Sequence, residues 1–293
     1  MDLTEYYIIA LDVGKTFTRS AVLDEQGRIL PDSFSIFSTK ASESNESILG
    51  NFVKIIKFNI NSILHPDFKI KRIGFSFSNA FIFENEEKIL QNKRLKDSLM
   101  KVPSIEDKLS PNCQFLFEED ARLFAMGENI LRENKNPKKR VLYLIIGSSL
   151  SSAYMIDGQL ILKDYDAVET RSFEEGMVRD YISSRGMLAI AKKVGITQEG
   201  LRPKDLEIMA LNGDSKALQV FELFGEYLGR ALSETITNFS PDEIILGGNL
   251  ALSYPLFSRR FEKSIMENNI QVIPTKFTSH YIFFGISERV KKN

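Results

Sequence analysis

The 293-residue chain has one cysteine, Cys113, and only two histidines, His65 and His280. A disulfide within the chain is therefore excluded, and a Cys/His zinc site needs more ligands than these three scattered residues bring together. No run of 18 apolar residues occurs, which argues against a membrane span. The first residues, MDLTEYYIIALDVG, have neither a basic start nor a long apolar core and do not read as a signal peptide. Lys+Arg total 38 and Asp+Glu 39, a net charge of −1, so no global electrostatic pull toward nucleic acid or anionic membrane exists. These absences lead to the expectation of a cytoplasmic protein without structural zinc.

What is present fits a globular protein of about two domains, with 43% apolar and 26% charged residues. Residues 6–11 (YYIIAL) and 19–24 (RSAVLD) read as strands around a short polar loop, and Gln26-Gly27 turns into another. Leu49, Phe52, Ile56, Ile60 and Ile63 recur at helical spacing in 46–63, and 70–78 (IKRIGFSFS) is again strand-like. A second strand-loop-strand unit spans 141–146 and 153–162, with Asp157-Gly158 as a hairpin turn signal. A strong helix follows at 216–239, then a short strand at 243–246, Gly247-Gly248-Asn249 and a further helix. The repeated organisation suggests duplication of one architectural unit. Ser110-Pro111-Asn112 reads as a loop near a lobe boundary at 110–120. The expected lobes are 1–115, with a helix at 281–293 as a candidate completion, and 116–280.

Three stretches are candidates for chemistry. In ALDVGKTFTRSAVLD, Asp12 stands at a strand end before Gly14, Lys15, Thr16 and Thr18. Gly14 permits close approach of backbone N–H groups, the threonines add hydroxyls, and Lys15 adds positive charge near a phosphate. Asp12 is a candidate to hold Mg²⁺ through water, since magnesium keeps several waters. An ordinary polar hairpin loop explains the stretch equally well. In CQFLFEEDARLFAMGEN, a strand runs into Glu119-Asp120 and a helix begins at Asp120 or Ala121. Asp120 is then either a helix-terminal carboxylate or a general base aimed at a substrate hydroxyl, and spacing does not separate these. In SPDEIILGGNLALS, Gly247-Gly248 would let a flat ligand lie against backbone, or simply make a tight turn.

The order of these pieces resembles the actin/hexokinase-type ATPase fold, a two-lobed α/β (ribonuclease H-like) architecture with an interlobe cleft. More narrowly it resembles the ROK family of sugar kinases and sugar-responsive repressors. LDVGKTFTRSAVLDEQGRIL is similar to that family's first phosphate motif, FEEDARLFAMGE to its catalytic segment, and NGDSKALQVFELFGEYLGRALSETITNFSPDEIILGGNLA to its helices and adenosine motif. The resemblance implies ATP and Mg²⁺ as cofactors, a hexose or amino sugar as substrate, and a homodimer. Asp120 would be the general base, with Asp12, Gly14, Lys15 and Thr16 serving phosphates and metal. Gly147, Ser148 and Ser149 would form a second phosphate hairpin, and Gly247, Gly248 and Asn249 would lie against adenosine. Asn79, Glu119, Asp120 and Arg179 would take the sugar side.

Departures from the pattern are also legible. Lys15 stands for a glycine, Phe17 for a common lysine, and Glu119 for the asparagine before the catalytic aspartate, so an ionised Glu119 can only accept hydrogen bonds. Adjacent Glu119 and Asp120 are expected to raise each other's proton affinity. Asn79-Ala80 replaces Pro-Gly. Met177 stands where a zinc cysteine would be, and Arg179 replaces a sugar-contacting glutamate. Four glycines of the second hairpin have become Ser149, Ser151, Ser152 and Ala153, with the expected loss of positive φ and close backbone approach. The alternative implied by these changes is a weak or inactive sugar-sensing regulatory protein without its own DNA-binding domain. Direct DNA binding is not expected, because a first strand near residue 6 leaves no room for a recognition helix before it.

Overall fold

A computed structural model describes residues 4–78, 92–132, 139–162, 165–266 and 269–288. The chain forms two compact units: one runs to Arg132 and resumes at Ser279, and the other takes the chain between.

In the first unit, β1 (Glu5–Val13), β2 (Phe17–Leu23) and β3 (Ser35–Ser38) form an antiparallel meander. β4 (Phe68–Phe77) and β5 (Leu109–Glu119) then add in parallel, giving the order β3-β2-β1-β4-β5. The second unit repeats this with β6 (Arg140–Ile146), β7 (Leu150–Ile156) and β8 (Gln159–Ile161). After a small ribbon, β9 (Ser172–Phe173) and β10 (Gly176–Met177), come β11 (Glu243–Gly247) and β12 (Gln271–Pro274), both parallel to β6. The order β12-β11-β6-β7-β8 matches the first sheet in sequence and polarity, so the duplication inferred from element order is a duplication of topology. Asp157 and Gly158 join β7 to β8 with φ of 52° and 75°, the paired positive values that a tight two-residue hairpin needs.

The two faces of the first sheet are built from different residues because strand side chains alternate. One face is large and apolar. Tyr7, Ile9, Leu11, Ile73, Phe75 and Phe77 pack with Phe52, Ile55 and Ile56 of the helix Asn45–Asn61. Phe75 and its register neighbour Phe117 stack at 5.2 Å, and Phe52 meets Phe75 edge-on at 5.6 Å. The opposite face carries small and polar residues, among them Ala10, Asp12, Gly74 and Ser76, and two further helices lie near it.

Those helices are Asp120–Leu131 and Thr278–Glu288, and they cross almost backbone to backbone. A Cβ on Gly127 would sit 1.9 Å from the Tyr281 carbonyl oxygen, and one on Gly285 would sit 2.2 Å from that of Leu123. The later helix also presses Ile286 onto Gly74, where a Cβ would be 2.2 Å from its side chain. Buried Arg72 donates to the Ile286 and Ser287 carbonyls at 3.0 and 2.7 Å, satisfying acceptors that a helix end leaves open.

In the second unit the helix Ser215–Phe239 buries Ala217, Val220, Phe221, Phe224, Leu228 and Leu232 against its sheet, as the 3.6-residue spacing requires. The strand β11 ends at Gly247, and a 3-10 turn, Leu250–Ser253, leads into the helix Tyr254–Ile265.

One local expectation is corrected. Ser110-Pro111-Asn112 is not a loop but part of β5. The register steps from Ile70–Leu109 to Arg72–Gln114, so residues 110–113 stand opposite Lys71 alone. A bulge of this kind accommodates a proline, which has no N–H for the ladder.

Gly127→Ala is expected to cost about 2 kcal/mol or more, because neither neighbouring backbone can retreat from the added methyl. Gly50→Ala, in a helix with open space around it, is expected to gain about 0.5–1 kcal/mol. Thermal unfolding of the two variants beside the parent checks both signs.

Candidate functional site

Strands β1, β4 and β5 run in the same direction, so their carboxyl ends share one edge of the first sheet. Their register sets Asp12, Ser76 and Glu118 in one row and Val13, Phe77 and Glu119 in the next. Asp120 follows immediately as the first residue of its helix. In parallel sheets this edge is where ligands are bound, because loops and helix N-termini converge there.

Asp12 is 8% exposed. Its Oδ2 accepts the Ser279 hydroxyl at 2.7 Å and faces the Arg19 guanidinium at 3.8 Å. Burial pushes the carboxyl above its ordinary range, and Ser279 and Arg19 pull it back. The neighbouring Ser76 hydroxyl is fully buried without a hydrogen-bond partner among the described residues. The β1–β2 loop is closed on itself: the Gly14 N–H donates to the Phe17 carbonyl at 3.0 Å, and Thr39 grips the Gly14 and Thr16 carbonyls at 2.7 and 2.9 Å. Thr16 is exposed and Lys15 half-buried. Thr18 points inward, its hydroxyl 3.0 Å from that of Thr39, so only Thr16 offers a hydroxyl at the loop.

Asp120 is 5% exposed, and its Oδ1 accepts the Ala121 N–H at 2.7 Å, where the helix dipole favours a carboxylate. Beside it, Arg122 reaches back one turn to two carboxylates. Its Nε lies 3.0 Å from Glu119 and its Nη1 lies 3.3 Å from Glu118. Burial raises the Glu119 carboxyl above its ordinary range, Arg122 opposes the rise, and Glu118 adds to it. Glu118 is thus a carboxylate that acts on Glu119, and the two share the Arg122 cation.

In the second unit the turn from β6 to β7 holds Gly147, Ser148 and Ser149. The Gly147 N–H donates to the Ser149 carbonyl at 2.8 Å, and its carbonyl accepts the Ser184 N–H and hydroxyl at 2.8 and 2.9 Å. No residue from Ser148 to Ala153 has positive φ, and Gly147 has open space where a Cβ would go. The serines thus sit in backbone that any residue adopts, without the positive φ that glycine would supply. Ser152 points inward, donating to Glu169 at 2.6 Å and accepting the Val168 N–H at 3.0 Å. Gly248 is different. Its φ is 89°, and a Cβ would lie 2.4 Å from the Ile146 carbonyl oxygen. Its N–H donates to the Thr278 hydroxyl at 2.9 Å, while Gly247 beside it is buried and Asn249 is exposed.

Arg179 is half-buried on the short helix Val178–Tyr181. The preceding ribbon is held by rings: Phe173, Tyr181 and Tyr227 meet edge-on at 5.3–6.1 Å. Arg230 lies over Phe173 and Tyr227 and pairs with Glu174. Among the described residues, no group of three or more His, Cys, Asp or Glu is arranged to hold a metal ion, and no helix is long and apolar enough to cross a membrane. Asn79 lies outside the described residues.

Arg19, Ser76, Glu118, Arg122 and Ser279 were not singled out from the sequence. Arg122 carried a signal, the i,i+3 and i,i+4 spacing to Glu119 and Glu118. Ser279 carried none, being 267 positions from Asp12.

Comparison with known proteins places these features in a family. The ROK family model matches residues 8–162 and 174–279. A xylose repressor of Bacillus subtilis is 22% identical over 306 aligned positions, which cover 97% of this chain and 77% of that protein. The structure of a ROK family glucokinase from Streptomyces griseus, in complex with glucose and AMPPNP, superposes with a TM-score of 0.76 at 18% identity, covering 98% of this chain and all of that one. That of a ROK family transcriptional regulator, a homologue of the E. coli MLC protein, gives 0.73 at 16% identity, covering 98% and 78%. The same α/β fold thus serves a kinase and a regulator.

Arg122→Met tests the electrostatics of this edge. A carboxyl raised by burial contributes stability at low pH that is lost as it ionises, and Arg122 limits that loss for Glu119. The variant is expected to be destabilised by on the order of 1 kcal/mol at about pH 7 and by much less at about pH 4, where the Glu119 carboxyl, raised by burial, takes up its proton. Denaturant unfolding at the two pH values reads the difference.

Proposed function

The chain belongs to the ROK family, and from that premise we propose that it is an ATP-dependent kinase acting on a hydroxyl of a hexose or amino sugar. The observation that supports this most directly is the shared carboxyl edge of β1, β4 and β5, with Asp12 near the end of β1 and the buried Asp120 opening the helix that follows β5. Asp120 is the general base: its rotation is fixed through the Ala121 N–H, and it takes the proton of the attacking sugar hydroxyl. Glu119, Arg179 and Asn79 are assigned to the sugar. Gly14, Lys15 and Thr16 are assigned to phosphate, as are Gly147, Ser148 and Ser149 of the second unit. Gly247, Gly248 and Asn249 are assigned to the adenosine.

The oxygen donors fit Mg²⁺. Both contacts of Asp12 fall on Oδ2, leaving Oδ1 without a partner among the described residues, and the Ser76 hydroxyl beside it in register is also without one. Bound through water at Asp12, magnesium would offset charge on the phosphoryl group being transferred.

A second reading, a sugar-sensing regulator with weak or no turnover, draws support from Arg122. It holds Glu119, at the position where the family's asparagine would meet the sugar, in an ion pair within the same chain. The xylose repressor among its relatives is consistent with this reading.

Incubating the purified protein with Mg-ATP and a panel of hexoses, amino sugars and xylose is expected to release ADP with at least one sugar. Asp120→Asn is expected to lower kcat by about 10²-fold or more. Failure to phosphorylate any sugar overturns the kinase reading. Thermal stabilisation by a sugar without turnover would then favour the sensor.

A further inference from the structure

Asp12 lies in a buried setting, yet its carboxylate rotation is set from outside its own strand and loop. The hydrogen bond to Oδ2 comes from Ser279, in the first turn of the helix Thr278–Glu288. That helix is a rigid support. It crosses the helix Asp120–Leu131 at Gly127 and Gly285 with no room for a methyl group, seats Ile286 on Gly74, and has its last carbonyls held by Arg72. A serine hydroxyl on so fixed a backbone has a short reach and few rotamers, so a 2.7 Å bond to Oδ2 defines the carboxylate plane. Arg19 adds charge on the same oxygen from 3.8 Å. Both neighbours thus act on Oδ2, and Oδ1 is the oxygen left to a ligand.

We propose that Ser279 is a positioning residue for Asp12: it holds Oδ2 so that Oδ1 is presented to the hydrated magnesium of a bound nucleotide. This inference rests on the kinase reading, and it goes beyond it in assigning a role to a residue outside the phosphate motifs. Groups that orient a metal-binding carboxylate commonly change metal affinity by about 10–100-fold when removed, without contacting the metal themselves. Ser279 is such a group, while Thr278, its neighbour in sequence, serves the Gly248 N–H instead.

The test is calorimetric binding of a non-hydrolysable ATP analogue, with and without Mg²⁺, to the full chain and to Ser279→Ala and Ser279→Thr. In the parent, Mg²⁺ is expected to tighten nucleotide binding. Ser279→Ala is expected to lose about 10-fold of that magnesium-dependent gain while its magnesium-free affinity stays as in the parent. Ser279→Thr, which keeps the hydroxyl, is expected to retain the gain. A Ser279→Ala protein with the full gain overturns the positioning role and leaves the kinase reading standing. Equal loss with and without Mg²⁺ also overturns it, because that is the mark of a merely structural contact. A parent protein in which Mg²⁺ brings no gain overturns the kinase reading and this inference together.

Discussion

The close crossing of the helices Asp120–Leu131 and Thr278–Glu288 is the constraint on which the candidate site depends. Gly127 and Gly285 each face a backbone carbonyl of the other helix, at distances that admit no Cβ. Backbone contact of this kind leaves little freedom to slide, since interiors pack at crystal-like density. One helix delivers Asp120 at its first residue, and the other delivers Ser279 to Asp12. The small residues on that face of the sheet, Ala10 and Gly74, belong to the same arrangement. The opposite face, free of this demand, is filled with phenylalanines.

Charge at the edge is managed by arginines of the same unit. Asp12 faces Arg19, and Glu118 and Glu119 share Arg122. Partly buried carboxylates are costly without such partners. The compensation gives a reason why glutamate is tolerated at position 119. A negative side chain there would repel its acidic neighbour, but a cation one turn along the helix makes the pair acceptable. The same compensation shapes what the site can recognise, because Glu119 enters any ligand interaction already engaged.

In the second unit the departures from glycine are absorbed by the backbone. Ser149, Ser151, Ser152 and Ala153 need no left-handed conformation, and Ser152 contributes a buried hydrogen bond to Glu169. Glycine is demanded at Gly248 instead, where β11 ends against the backbone of β6. The ribbon Ser172–Met177 is held without cysteine or histidine, by three edge-on rings and the Arg230 guanidinium over two of them. Edge-to-face rings and a cation over a ring face are each worth about 0.5–1.5 kcal/mol, so the cluster holds the ribbon by many modest contacts.

The sequence by itself determined what local chemistry dictates. Apolar spacing set the helix Ser215–Phe239, Asp157-Gly158 set its hairpin, and the order of elements foretold two sheets of one topology. The family could be read from Asp12-x-Gly14-x-Thr16 and Glu119-Asp120 because those residues are contiguous in the chain. What only the tertiary structure decided were contacts through space and backbone conformation. Pro111 reads as loop but lies in a bulge, since β4 supplies a partner strand that no local pattern announces. The backbone path taken where four glycines are replaced, with no positive φ from Ser148 to Ala153, is also set by the turn that the strands close. Ser279 gave no signal, since only the crossing of two helices carries it across 267 positions to Asp12. Periodicity records which face of an element is buried, whereas a hydrogen bond between distant residues exists only once those faces have met.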